Sequence, residues 1–439
     1  MAREPYEDMQ KFLKYTFQEI RKGNKLDEKI FIPKMEEELQ KAHFREKFPC
    51  GVENILILRV ADAAGDFILT SGFIREVRNN FPKARITLLV HPHVYSIAEL
   101  CPYVNEVLAF DGLTDGKKFL DVLKSISKFC RDNLWSRNFS TAFCSQWGSD
   151  SMGGLFVAFM SGARERLGYG CDPYDSWIDN FQNEYAYVND NLLTRNIISP
   201  KTVIHEAEKH FYLLEATGFK VSNTRMELWY DEKDFLNARE LLKKLPVKRG
   251  KRAVVGIGAG GGSRKYPVKK LLEALKKIQD RGINFVIIGG ATEKKDADFL
   301  EKNLPSGSVL NLVAQTTFRE TEAIISQMDF YIGNDSGVMH MAAAADVPVL
   351  AIYREAKNKE NEMQGILSEY RRFSPWQTIA VIIRPKYALD DCAHKKFYGG
   401  CCHAEAHCIT QITPEEIVAG FEELEEKIKI GKEFKNGKY

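Results

Sequence analysis

The sequence predicts an α/β protein built from two doubly wound, Rossmann-like halves with parallel sheets. Three observations carry this. Short apolar, β-branched runs alternate with amphipathic helical stretches along most of the chain. A small-residue loop follows the first strand of each half, Val60 to Gly65 in one and Gly258 to Gly262 in the other. At 439 residues the chain is too long for one compact core, and its 44% hydrophobic residues can furnish two.

In chain order, residues 1–48 carry Phe12, Leu13, Tyr15, Phe17 and Ile20, then Ile30, Phe31, Ile32, Met35, Leu39 and Phe44, among many charges. The pattern predicts a helical N-terminal extension of two amphipathic helices, broken near Gly23-Asn24-Lys25 and packed on the main body. Docking to a partner or a membrane surface is the other use of such faces. Asn54-Ile-Leu-Ile-Leu-Arg59 reads as a buried strand. Asp66 opens a helix with Ile68, Leu69, Phe73, Ile74 and Val77 on its apolar side, and Arg85 to Val90 is the next strand. The alternation continues through Val107 to Phe110, a helix around 119–129, the run Ser140 to Ser145, and a helix over 149–160. Arg164 to Gly170 is expected to turn the chain, with irregular backbone to Pro200. A helix from near Val203 carries His205, Glu206 and His210, and another spans Glu232 to Leu245. The basic stretch Pro246-Val-Lys-Arg-Gly-Lys-Arg252 reads as the domain boundary, giving domains at 49–246 and 247–439.

The second half begins with the strand Ala253 to Ile257. Gly258, Gly260, Gly261 and Gly262 let backbone approach a bulky anion, and Pro267 suits the first turn of the helix striped by Leu271, Leu272, Leu275 and Ile278. Asn284 to Gly290 is a strand and turn with Glu293 just beyond. Thr317 and Glu320 form a capping box for the helix holding Ile324 and Ile325. Then Tyr331-Ile-Gly-Asn-Asp-Ser-Gly-Val-Met-His340, an Ala-rich stretch and Pro348 to Tyr353 make one β-α-β unit. At its helix start the N–H groups of Ser336, Gly337 and Val338, together with the helix dipole, suit a phosphate. The same pattern also fits a capped helix start in any α/β protein. Two such halves imply a cleft, with a nucleotide-type ligand as the default occupant.

Composition narrows the class. Lys plus Arg number 62 against 60 for Asp plus Glu, so no net field recruits nucleic acid, and peripheral membrane contact stays open. The N-terminus has no apolar signal core and no long uncharged apolar run occurs, which points to a cytoplasmic protein, with contact at the inner face of the membrane compatible. Nine cysteines in such a chain suggest reduced thiols.

Motifs in order then carry a resemblance: Leu58-Arg59, Gly65-Asp66-Phe-Ile-Leu-Thr70, Arg75 to Pro82, Gln146-x-Gly148, Ser161-Gly-Ala-Arg-Glu-Arg-Leu-Gly168, His205-Glu-Ala-Glu, Arg264-Lys-Tyr-Pro267, Gly289-Gly290 with Glu293, and Gly333-Asn-Asp-Ser-Gly-x-x-His340. Over roughly residues 54–429 the chain resembles glycosyltransferase family 9, the lipopolysaccharide heptosyltransferases. The resemblance implies a GT-B fold, two Rossmann-like domains facing across a cleft, with the sugar nucleotide held mainly by the C-terminal one. It implies no cofactor and no catalytic metal, the nucleoside-diphosphate sugar being a substrate.

Residue by residue, the resemblance makes Asp66 the catalytic base. By spacing alone Asp66 fits a helix N-cap, and Asp62 is the second candidate base. Arg264 occupies the phosphate-binding lysine position with Lys265 beside it, and a guanidinium can serve there. Ser336 and Gly337 would add backbone donors, Glu293 would bind the ribose, and Asp335 and His340 would line the nucleotide or sugar. The chain departs from the family in having Gly258-Ala259-Gly260 for His-Pro-Gly, Gly72 for Pro, and Arg354-Glu355-Ala356 for Gly-Pro-Thr. The implied activity is inverting transfer of a heptose-like sugar from a nucleoside diphosphate, ADP-heptose first, to a hydroxyl of a lipopolysaccharide core or another saccharide, lipid-linked or protein acceptor. A sugar-nucleotide epimerase or hydrolase on the same fold, or a silent sugar-nucleotide-binding protein, are the alternatives.

Cys392, Cys401, Cys402 and Cys408 cluster with His394, His403 and His407. Thiolates and imidazoles at this density suit zinc or iron, but the spacing is not a paired Cys-x-x-Cys array. The expectation is therefore reduced thiols packing a loop, with no metal bound.

Overall fold

Asn54–Arg59, the first described strand (β1), is buried along its whole length, as the apolar run predicts. In the computed structural model the residues described are 53–60, 63–111, 119–147, 154–170, 192–245, 250–359, 368–389, 392 and 403–435. The expected extension at 1–48 lies outside them, as do Asp62, Cys401 and Cys402. After β1 come helices α1 (Ala64–Ile68) and α2 (Ser71–Asn80), strands β2 (Arg85–Val90) and β3 (Glu106–Ala109), and helix α3 (Phe119–Asn133). Strand β4 (Thr141–Cys144), helix α4 (Gly154–Met160), strands β5 (Glu165–Tyr169) and β6 (Arg195–Ile197), and helix α5 (Glu206–Ala216) follow. The six strands pair in the order β3-β2-β1-β4-β5-β6, and every pairing is parallel.

Strand β5 corrects the expected turn at Arg164 to Gly170. Its alternating charges suggested a surface turn, yet Arg166 is wholly buried and donates to the carbonyls of Leu192 at 2.6 Å and Ala163 at 2.8 Å. Aligned main-chain acceptors make a buried guanidinium tolerable. Helix α5 likewise starts later than its apolar pattern suggested. His205 is its cap, Nδ1 accepting from Ala207 N at 3.1 Å while Glu208 accepts from His205 N.

The second sheet is built from β7 (Lys251–Gly256), β8 (Ile283–Ile288), β9 (Val309–Asn311), β10 (Phe330–Asn334), β11 (Val349–Ile352) and β12 (Ala380–Ile383), ordered β12-β11-β10-β7-β8-β9 and all parallel. Its helices are α6 (Glu232–Leu242), α7 (Val268–Gln279), α8 (Lys294–Asn303), α9 (Phe318–Ile325), α10 (Gly337–Ala344) and the long α11 (Pro414–Lys435). Pro267 stands at the N-cap of α7, and the Thr317–Glu320 capping box on α9 forms as read. Phe421 of α11 meets Phe330 edge-on at 5.0 Å, beside buried Ile417 and Leu424.

Two compact units result, residues Met1–Asp62 with Gly72–Thr224, and Ala63–Ser71 with Arg225–Tyr439. The division falls between Thr224 and Arg225, ahead of the basic stretch at 246–252, and it assigns α1 to the second unit. Both are α/β units with a parallel sheet, and the chain has an α/β two-domain fold.

A buried carboxyl marks the seam between α6 and α9. Glu322 accepts from Trp229 N at 3.1 Å, beside the Arg319–Asp234 ion pair at 3.0 Å. Burial, reinforced by Asp234 and opposed by the Trp229 N–H and Arg319, raises the Glu322 carboxyl to about 8. A raised carboxyl pKa contributes stability that is whole below the unfolded value of about 4.3 and is lost as pH rises through about 8. Glu322→Gln keeps an acceptor for Trp229 N–H and removes the ionisation. In thermal melts from about pH 5 to about pH 9, wild type should lose stability relative to this variant, on the order of a few kcal/mol. Parallel pH profiles would show that Glu322 ionises without cost.

Candidate active site

Two loops leave the carboxyl ends of adjacent strands β7 and β10, and glycines let those ends approach. A methyl group at Gly333 would lie 2.2 Å from the Gly256 carbonyl oxygen, and one at Gly256 would lie 2.4 Å from the Tyr331 hydroxyl. Tyr331 fills that space and donates to Asn334 O at 2.7 Å, with Ser336 Oγ 3.3 Å away. The Asn334 amide then joins the loops. Its Oδ1 accepts from Tyr266 N at 3.0 Å and its Nδ2 donates to Ile257 O at 3.0 Å, which settles the orientation of the amide.

Onto this frame the sequence places three cations and three buried carboxylates. Arg264 lies 3.7 Å from Asp335 and 4.0 Å from Glu369. Those separations exceed hydrogen-bond length, so the guanidinium is held nearby without its donors being committed to either group. Arg354 is bound more firmly, forking onto both oxygens of Glu369, with Nε 2.8 Å from Oε2, and reaching Ser263 Oγ. With 37% of its side chain exposed against 11% for Arg354, Arg264 is the guanidinium more open to an incoming anion. Lys265 pairs with Glu293, which also accepts from Thr292 Oγ1 at 2.6 Å and Gly290 N at 2.9 Å. Burial works against the Glu293 carboxylate, yet these donors, Lys265 foremost, hold it below the usual range. Asp335 behaves oppositely. Burial lifts it to about 7, with Glu369 and Asp66 pushing the same way and Arg264 and Arg354 opposing.

The start of α10 completes the site. Ser336 occupies the N-cap without a side-chain bond to the helix, and N–H groups of a first turn have no intrahelical acceptor. Helix α1 abuts this end through two glycines. A methyl group at Gly65 would come within 2.8 Å of His340 Cδ2 and 3.2 Å of Gly337 Cα. Asp66 follows directly, half-buried, in the first turn of α1. It does not cap the helix, because Ala63 is the N-cap residue. His340 is buried, its ring edge-on to Phe373 at 6.5 Å.

Asp66, Ser336, Gly337 and His340 are thus gathered around the facing ends of α1 and α10, Arg264 stands beside Asp335, and Lys265 is joined to Glu293. Arg354 and Glu369 were not among the expected site residues. Arg354 entered only as a departure from the family, although a cation just after the buried β11 was a readable signal for the carboxyl edge of the sheet. The described residues able to hold a metal, Cys392, His403 and His407, lie on a separate loop.

Gly65→Ala tests the abutment of α1 and α10. Overpacking against His340 and Gly337 should cost about 1–3 kcal/mol in denaturant unfolding, with loss of any activity that depends on Asp66. Full stability and activity would mean that the contact yields freely.

Comparison with known proteins agrees with this geometry. The chain is 24% identical over 296 residues to lipopolysaccharide heptosyltransferase 3 of Escherichia coli K12, which spans 66% of this chain and 79% of that protein. Its fold is similar to a glycosyltransferase family 9 structure from Veillonella parvula, with TM-score 0.65, 16% identity, and coverage of 85% of this chain and 97% of that one. It is also similar to the E. coli heptosyltransferase WaaC with ADP, with TM-score 0.57, 16% identity, and coverage of 84% and 99%. The profile of glycosyltransferase family 9 (heptosyltransferase) matches residues 168–395, just over half of the sequence, and the chain belongs to that family of glycosyltransferases.

Proposed function

We propose that the protein is an inverting transferase that moves a heptose-like sugar from ADP-heptose to a hydroxyl of a lipopolysaccharide-core saccharide. The observation that carries the reading is the close approach of Gly65 and Gly337, which sets Asp66 beside the start of α10. In a single displacement the Asp66 carboxylate takes the acceptor hydroxyl proton. The oxygen attacks the anomeric carbon, and the bond to the diphosphate breaks on the opposite face with inversion. The departing diphosphate takes the bonding electrons, and its charge is met by the Gly337 and Val338 N–H groups, the helix dipole and Arg264. Asp335, lifted to about 7, adds less negative charge beside the phosphates than an ordinary carboxylate would. In this reading Lys265 and Glu293 act as a pair at the ribose, and His340 backs the sugar.

ADP as the nucleotide is supported by the similar heptosyltransferase structure with ADP, and the acceptor class by the lipopolysaccharide heptosyltransferase relative. The described residues contain no helix long and apolar enough to cross a membrane, so the reading places the enzyme peripherally, at the face where a lipid-linked acceptor is presented.

ADP release from ADP-heptose, measured with and without truncated core saccharides, tests the reading. Release that depends on acceptor supports transfer; release without acceptor indicates hydrolysis or epimerisation, and donor binding without release indicates a silent binding protein. Asp66→Ala should keep donor affinity while turnover falls by about 10²–10⁴-fold, the range for loss of a general base. Undiminished turnover removes Asp66 from the mechanism.

A further inference from the structure

We infer that Cys392, His403, His407 and Cys408 form a zinc site that braces the glycine-rich loop. The ligating atoms of Cys392, His403 and His407 all lie within 4.8 Å of one another. The sulfurs of Cys392 and Cys408 each stand 3.5 Å from the same atom, Nδ1 of His407. An imidazole nitrogen carries at most one hydrogen and cannot point it along both directions. A tetrahedral zinc with Zn–S of about 2.3 Å and Zn–N of about 2.1 Å instead has S···N edges of about 3.6 Å, close to both separations.

The surroundings favour the ligating protonation states. Both thiols are buried and neither is in a disulfide. The rings of His403 and His407 stack at 3.8 Å with 23° between their planes, which two cationic rings would resist and two neutral rings accept. Leu389 N lies 3.5 Å from Cys408 Sγ and would donate to a thiolate there, the kind of second contact that orients a ligand. Binding releases the two thiol protons, so two thiolates balance the dication and two imidazoles complete a neutral set. Mixed sulfur and imidazole ligands select zinc over magnesium or calcium. The spacing of these residues gave no such signal, because the set is assembled by folding.

The loop bearing three of these ligands packs directly on the anion-binding loop. A methyl group at Gly262 would come within 2.6 Å of Ala404 O and 3.0 Å of Glu405. Lys270 Nζ donates to Thr410 O at 2.5 Å and Tyr266 to Ile412 O at 2.9 Å. Fixing residues 392 and 403–408 to one ion therefore steadies the backbone beside Ser263 and Arg264. This last consequence rests on the proposed donor site, whereas the metal site does not.

Elemental analysis of the full-length protein prepared with zinc should find about one zinc per chain. Chelator-stripped protein titrated with cobalt should develop the visible absorption of a tetrahedral thiolate site. Cys392→Ser and His407→Ala should each lose the zinc while retaining the far-ultraviolet circular dichroism of wild type, and stripping wild type should weaken ADP binding about tenfold, a usual coupling between sites. Unchanged ADP binding with stoichiometric zinc would remove the coupling alone. Wild-type protein that takes up neither zinc nor cobalt, or a double variant that keeps its zinc, would overturn the site.

Discussion

One amide side chain holds the active site together. Asn334 joins the β7 loop to the β10 loop by two hydrogen bonds, and it can do so because Gly256 and Gly333 bring the strand ends close enough for Tyr331 to lie between them. With both bonds made, the glycine-rich loop is set relative to the start of α10, and the positions of Arg264 and Ser336 follow from one constraint. Loss of the amide would leave buried main-chain groups at Tyr266 and Ile257 without their partners, a cost that neither loop can relieve by itself.

Charge is arranged on this frame so that positive groups outnumber effective negative ones where an anion would rest. Glu369 and Glu293 are each tied to a cation, Arg354 and Lys265, and so position side chains that would otherwise wander. Asp335 lies deepest and ionises with difficulty. Arg264 touches two carboxylates only at ion-pair range and is the group most able to turn toward a diphosphate. A divalent cation at the phosphates is thus not required to balance charge, since helix dipole and guanidinium supply the field.

Much of this was readable in the sequence wherever a pattern is local. The buried strands at 54–59 and 253–257, the Thr317–Glu320 cap and the β-α-β unit around Ser336 depend on spacing within a few residues, and folding preserves them. Strand β5 was obscured because Arg166 satisfies its donors through Leu192, distant in sequence. Asp66 looked like a helix cap because composition cannot tell Ala63 from Asp66 as the first residue of a turn. The place of α1 against α10, the Arg354–Glu369 fork and the approach of Cys392 to His407 each join residues far apart in the chain, which no periodicity records.

The most direct measurement is a crystal structure of the protein with ADP bound. The account requires the diphosphate to sit within hydrogen-bond reach of the Gly337 and Val338 N–H groups and of Arg264, with the Asp66 carboxylate on the open side where a sugar would project. ADP bound elsewhere, or phosphates held without contact to the start of α10, would contradict it.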